Sequence, residues 1–221
     1  MDAIRNTDLF DLTHTRAAAL LSKCAYPWEA LAKIGETVLA IGHNLPEADY
    51  DHPQEDVWIA KSASVAPTAT ITGPCVIGEK TEVRPGAFLR GNILVGDGAV
   101  VGNSSELKNC ILFDGVQVPH YNYVGDSILG YKAHMGAGAV TSNVKGDKKP
   151  VVIHGEAQYE TGRKKVGAML GDFAEIGCGS VLNPGAIIGR DSQVYPLSSV
   201  RGVVPAHSIV KGERGVFPKQ G

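Results

Sequence analysis

Three stretches of this 221-residue chain hold residues able to do chemistry. Arg90 and Lys108 are cations set eighteen positions apart (108 − 90) in a region otherwise rich in small and aliphatic residues. Pro119-His120-Tyr121-Asn122-Tyr123 gathers an imidazole and two phenols in five residues. Histidine titrates near neutral pH and takes a proton from an amine or hydroxyl during acyl transfer. The segment from Thr141 to Val166 carries Lys145, Lys148, Lys149, Arg163, Lys164 and Lys165 against Asp147, Glu156 and Glu160. Each stretch also has a plain reading. The cations splay into water or pair with Glu106, the histidine is a satisfied structural residue, and the charge run is a solvated face. The sharper readings are a phosphate-binding pair, a proton acceptor, and a loop that reaches over a groove to hold phosphates.

The elements that position these residues follow from one period. Ile59, Val65, Ile71, Ile77, Val83, Leu89, Val95, Val101 and Leu107 fall every sixth position. Roughly a quarter of the chain is Ile, Leu or Val, so nine in phase have a chance probability of about 10⁻⁶ and the repeat is not accidental. A second tract runs through Leu170, Ile176, Leu182, Ile188, Val194 and Val200, and between the tracts the phase slips through Leu112, Val118, Val124, Leu129, Met135 and Val140. This is an all-β hexapeptide solenoid. Each hexad supplies one short strand of a triangular prism, three hexads close a coil of about 18 residues, and the aliphatic points to the axis. Six or seven coils about 4.8 Å apart are expected. Arg90 and Lys108 then lie on one prism side in adjacent coils, where like charges repel unless an anion or an acid lies between them.

Residues 1–55 read differently. Thr15 to Lys23 is rich in Ala and Leu, and Pro27 is placed to open a second helix. With the acidic, proline-containing stretch Leu45 to Asp56, these helices are expected as a cap or linker that covers the first coil, with residues 56–221 forming the repeat domain and 141–167 its inserted loop. A net charge of −2 argues against bulk nucleic-acid binding or a polybasic membrane anchor. No stretch has the apolar length of a membrane span and Met1 to Asp8 lacks a signal-peptide core, so a cytoplasmic location is expected. Cys24, Cys75, Cys110 and Cys178 are scattered, which suits reduced thiols better than disulfides, and no metal is expected.

Ser105-Glu106-Leu107-Lys108-Asn109, Val118 to Asp126, Met135-Gly136-Ala137-Gly138 and Thr141-Ser142-Asn143 resemble the acetyltransferase half of bifunctional sugar-phosphate nucleotidylyltransferase/N-acetyltransferases. These are the enzymes related to UDP-N-acetylglucosamine pyrophosphorylases. The likeness covers about residues 59 to 205 and is most specific from His120 to Asn143. It implies a left-handed parallel β-helix assembled as a homotrimer, with acetyl-CoA in grooves between subunits. His120 then corresponds to the base that deprotonates the amine of an amino-sugar phosphate. Arg90 and Lys108 fall on positions that hold the substrate's phosphates, and Tyr123 and Asn143 on positions that contact substrate. By the same likeness Ala137 matches a residue lining the acetyl-CoA site, Cys178 and Pro196 lie at positions that in the family line the CoA channel, and Lys149 matches a loop lysine of some members. The backbone amides from Gly136 to Gly138 are expected to stabilise the oxyanion.

The chain departs from the family where His134 replaces a common Asn and Val144 replaces a frequent aromatic. The Gly-rich signature of the nucleotidylyltransferase half appears nowhere, and about fifty-five residues are too few for that α/β domain, so nucleotidyl transfer by this chain alone is not expected. Three other readings stay open. One is a non-catalytic nucleotide-sugar-binding module that partners a separate nucleotidylyltransferase. Another is an O-acetyltransferase using the same histidine. The third is a carbonic-anhydrase-type site, which would have to use His120, His134 and His154.

Overall fold

The computed structural model describes residues 3–219. They form a left-handed parallel β-helix whose coils wind through a 14-stranded and a 9-stranded sheet, the first of which bends around one edge of the prism. Three stacks result. On the first, Val57–Ala60 pairs in parallel with Cys75–Ile77, which pairs with Ile93–Val95. The stack continues through the C-terminal halves of Glu106–Leu112 and Tyr123–Leu129 to Ala168–Leu170, Ala186–Ile188 and Val203–Val204. The second holds Phe88–Arg90 and the N-terminal halves of those two long strands. The third holds Val100–Asn103, Gln117–His120, His134–Met135, Glu175–Ile176 and Gln193–Val194. Eight strands stack on the first face, beyond the six or seven coils counted from the hexads, because slipped repeats still close a turn.

The aliphatic of each hexad fills the axis, and Ile77, Leu89, Val95, Val101 and Leu107 are all fully buried. Parallel strands buried this way draw their stability from apolar contact along the stack, since a single coil cannot enclose its own core. The coil is 18 residues long up to Leu89, which faces Leu107 (107 − 89). Immediately afterwards Cys110 faces Ile93, a separation of 17 (110 − 93). The missing residue is lost at the corner carrying Asn109, whose backbone is left-handed at φ 48°.

The largest break lies between Ile128 and its ladder partner Met169. The intervening chain forms an antiparallel hairpin of Val152–His154 with Gln158–Glu160. Val151, Ile153 and Val166 are completely buried, so this segment is a packed outgrowth with charged residues on its outer side. Contact is close enough that a Cβ on Gly202 would sit 2.3 Å from the His154 carbonyl oxygen, a position only glycine fills.

The N-terminal segment contains the short helices Asn6–Leu9, Ala18–Leu21 and Pro27–Ala30 and the longer Ile34–Gly42. Its helices lie along the first face as a strap, and the stretch that follows them returns to the first coil through Tyr50–Gln54. The Asp172 N–H donates to the Leu9 carbonyl at 3.0 Å, and the Asp114 N–H to the His14 carbonyl at 3.1 Å. Arg16 reaches Asp97 at 2.7 Å. Phe10 packs on Phe113 with ring centroids 5.1 Å apart. The prism ends are protected by antiparallel edge strands, Tyr50–Gln54 on the first coil and Val216–Pro218 on the last. Covering a sheet edge in this way blocks end-to-end pairing of copies.

Candidate active site

The ladder that pairs Phe88 with Glu106 and Leu89 with Leu107 sets Arg90 beside Lys108. Acids separate the two cations. Arg90 Nη1 donates to Glu106 Oε1 at 2.5 Å, and that hydrogen bond raises the guanidinium pKa above its ordinary value. Lys108 Nζ lies 3.9 Å from Asp126 Oδ2. The pairing with Glu106 is the plain reading of the sequence, yet both side chains keep solvent access, 43% for Arg90 and 29% for Lys108. An ion pair as open as Arg90–Glu106 is worth little and exchanges readily for a better anion, while the Asp126 partner of Lys108 is buried.

Behind Lys108 lies a buried polar network that the hexads do not announce. Asp126 accepts from Asn109 Nδ2 at 2.9 Å and Asn143 Nδ2 at 2.6 Å. Asn143 Nδ2 also lies 3.3 Å from the Tyr123 hydroxyl, as donor. Burial pushes the Tyr123 phenol up, so it stays a neutral donor at physiological pH. Arg90, Lys108, Tyr123 and Asn143 thus share one side of the prism, joined by Glu106 and Asp126. The sequence signal for the missed Asp126 and Asn109 was the phase slip itself: a shortened corner is where a polar residue replaces the expected inward aliphatic.

His120 ends the strand Gln117–His120 and enters a tight turn at the corner between the second and third faces. Tyr121 adopts φ 52°, an unusual conformation for a bulky residue and one that persists only where its surroundings impose it. Here the Tyr121 N–H donates to the Asn103 carbonyl at 2.9 Å. Asn122 is buried and locks the turn from inside. Its side-chain oxygen accepts from the His120 N–H at 3.1 Å, and its amide donates to the carbonyls of Gly136 and Ala139 at 2.8 and 3.0 Å. The His120 side chain is exposed and forms no hydrogen bond or ion pair among the described residues. A fixed backbone with an uncommitted imidazole is what a proton acceptor needs.

The same corner continues through successive coils. The Gly138 N–H donates to the His120 carbonyl, the Gly179 N–H to the Ala137 carbonyl and the Leu197 N–H to the Cys178 carbonyl, at 3.0, 2.9 and 2.9 Å. His120, Ala137, Cys178 and Pro196 therefore rise along one edge. A shallow cleft of about 240 Å³ beside it is lined by His134, Cys178, Tyr195 and Pro196. The expected amide oxyanion site is narrower than the sequence suggested, because the Gly136 and Gly138 N–H groups are committed to the Ile176 and His120 carbonyls. Among the described residues, only the Ala137 N–H of that run is left without an acceptor.

Lys149 stands on the hairpin segment, where its N–H donates to Asp147 at 3.1 Å, and no bond joins it to the Asp126 network among the described residues. A larger cavity of about 650 Å³ lies within the N-terminal strap, away from His120. No group of three His, Cys, Asp or Glu residues that could hold a metal occurs among the described residues. No described helix is long and apolar enough to cross a membrane.

Residues 71–158 match the family model of the GMPPB C-terminal domain. The bifunctional protein GlmU of Methanococcus aeolicus is 34% identical over 173 residues, covering 70% of this chain and 42% of that protein. A bifunctional sugar-1-phosphate nucleotidylyltransferase/acetyltransferase of Sulfurisphaera tokodaii is 31% identical over 113 residues, 51% of this chain and 28% of that protein. The aligned part of the chain spans less than half the length of these curated relatives. Among solved structures, a Bacillus cereus putative acetyltransferase aligns over 68% of this chain and 70% of its own, at 22% identity and TM-score 0.39.

Proposed function

From this kinship with GlmU-type bifunctional proteins, we propose that the chain is an acetyl-CoA-dependent N-acetyltransferase for an amino-sugar phosphate or a nucleotide amino sugar. The observation that carries the reading is the locked Tyr121-Asn122 turn. It presents an unpaired His120 between the Arg90/Lys108 side of the prism and the edge of Ala137, Cys178 and Pro196. Acetyl-CoA lies along that edge and the sugar phosphate on the cation side. His120 accepts the amine proton as nitrogen attacks the thioester carbonyl, and the Ala137 N–H faces the developing oxyanion. No covalent acyl-enzyme is required. Arg90 exchanges the exposed Glu106 for the substrate's phosphate, and Lys108, 3.9 Å from the buried Asp126, turns its ammonium to the same anion in a charge-assisted contact.

A homotrimer completes the site in this reading, with a neighbouring prism closing the donor cleft. The rival in which the N-terminal helices dock a separate nucleotidylyltransferase has less support, since Leu21, Trp28, Leu31 and Ile34 are already buried in this chain. Incubation with acetyl-CoA and glucosamine 1-phosphate or galactosamine 1-phosphate, followed by mass spectrometry of the product, tests the reading. An N-acetylated sugar phosphate is expected. An O-acetyl product, or no product together with no acetyl-CoA binding by calorimetry, would overturn it.

A further inference from the structure

His134 and Glu175 face each other on neighbouring strands of the third face, with His134 Nδ1 and Glu175 Oε2 2.8 Å apart. They are the two residues shared by a cleft of about 380 Å³ on one side and the 240 Å³ donor cleft on the other. Both are partly open to solvent, and an exposed pair of this kind contributes little to stability. Its effect is chemical: the carboxylate takes Nδ1–H, which fixes the ring and turns Nε2 toward other partners.

The position relative to His120 is set by the ladder. Gln117 stands opposite His134, so His120 lies one coil over and three residues along the strand. At about 3.3 Å per residue and 4.8 Å between strands, the two Cα atoms are roughly 11 Å apart. Two imidazoles so placed can flank a thioester. The other polar or titratable side chains lining the two clefts are Gln117, Lys132, Gln193, Tyr195 and Cys178. The Lys132 ammonium lies 5.0 Å over the Tyr131 ring.

Resting on the acetyltransferase reading above, we propose that His134, oriented by Glu175, is the proton donor to the sulfur leaving group. The amine nitrogen bonds to the acetyl carbon and its proton passes to His120. The carbon–sulfur bond then breaks with its electron pair on sulfur, and sulfur takes the proton from His134 Nε2. His120 releases its proton to water and His134 takes one up, so the cycle closes on amide and free thiol with no other reactant.

The test compares wild type, His134→Asn and Glu175→Gln with two acyl donors, acetyl-CoA and an acetyl aryl thioester whose thiolate leaves without protonation. With acetyl-CoA, His134→Asn should lower kcat by about 10²-fold, at the small end of general-acid effects, and remove the basic limb of the pH profile. Glu175→Gln should lower kcat in the same direction. With the aryl thioester the relative loss should shrink to within about threefold of wild type. Unchanged kcat with acetyl-CoA, or an equal loss with both donors, would overturn the proposal while an active wild type leaves the parent reading standing. A wild type that transfers no acetyl group overturns both.

Discussion

At the scale of single residues, the site depends on which polar atoms are already engaged. Among the described residues His120 has no polar partner, Arg90 is held by Glu106 and Lys108 lies 3.9 Å from Asp126. If phosphate must displace Glu106, then Glu106→Gln should lower KM for the sugar phosphate several-fold with little change in kcat, read from initial rates. A raised KM would show that Glu106 positions Arg90 and does not compete for it. The cysteines give a second test. Burial pushes the Cys75 thiol up to about 12 and moves Cys110 in the same direction, so neither supplies thiolate at neutral pH. Cys178 is exposed beside the donor cleft. Brief alkylation should modify Cys178 and spare Cys75 and Cys110, and acetyl-CoA should slow the reaction at Cys178 at least tenfold, as mass spectrometry of peptides would show. Labelling of Cys178 unaffected by saturating acetyl-CoA would remove it from the donor channel.

At the scale of elements, much was legible because a six-residue period admits one architecture. The spacing of Ile59 to Leu107 predicts the prism, its axis and the adjacency of Arg90 and Lys108, and the ladder has that register. The period says nothing about residues outside it. The N-terminal segment covers the first coil through Tyr50–Gln54, but its helices run on along the first face, because helix signals in Thr15 to Lys23 and after Pro27 fix local structure and not the surface they bury. The basic stretch read as a solvated run or a reaching loop; its buried Val151 and Ile153 show a packed hairpin, and the surrounding lysines masked those apolar anchors. The turn at Tyr121-Asn122 was visible as a phase slip, while its mechanical role was not. Asn122→Ala removes three hydrogen bonds that hold a left-handed tyrosine. It should cost about 1–3 kcal/mol in denaturant unfolding and lower kcat more than KM, because the turn relaxes away from the conformation that aims His120. Full activity in a destabilised variant would separate the turn from the chemistry.

At the scale of the whole molecule, the strap covers the first face and leaves the other two, with the edge between them, open to neighbouring copies. That edge carries Leu197 at 85% and Tyr121 at 64% exposure. A closed three-fold ring would bury such an edge in every subunit at once. Sedimentation should find a trimer at micromolar concentration and a smaller species for Leu197→Lys. A monomeric wild type would require the donor groove to be formed by one chain. The central claim is that the locked turn offers His120 as the base for acyl transfer to an amino-sugar phosphate. CoA release under saturating acetyl-CoA and sugar phosphate, wild type against a folded His120→Ala, tests it most directly. The account predicts a kcat lower by about 10²–10⁴-fold. Equal turnover in the two proteins would contradict it.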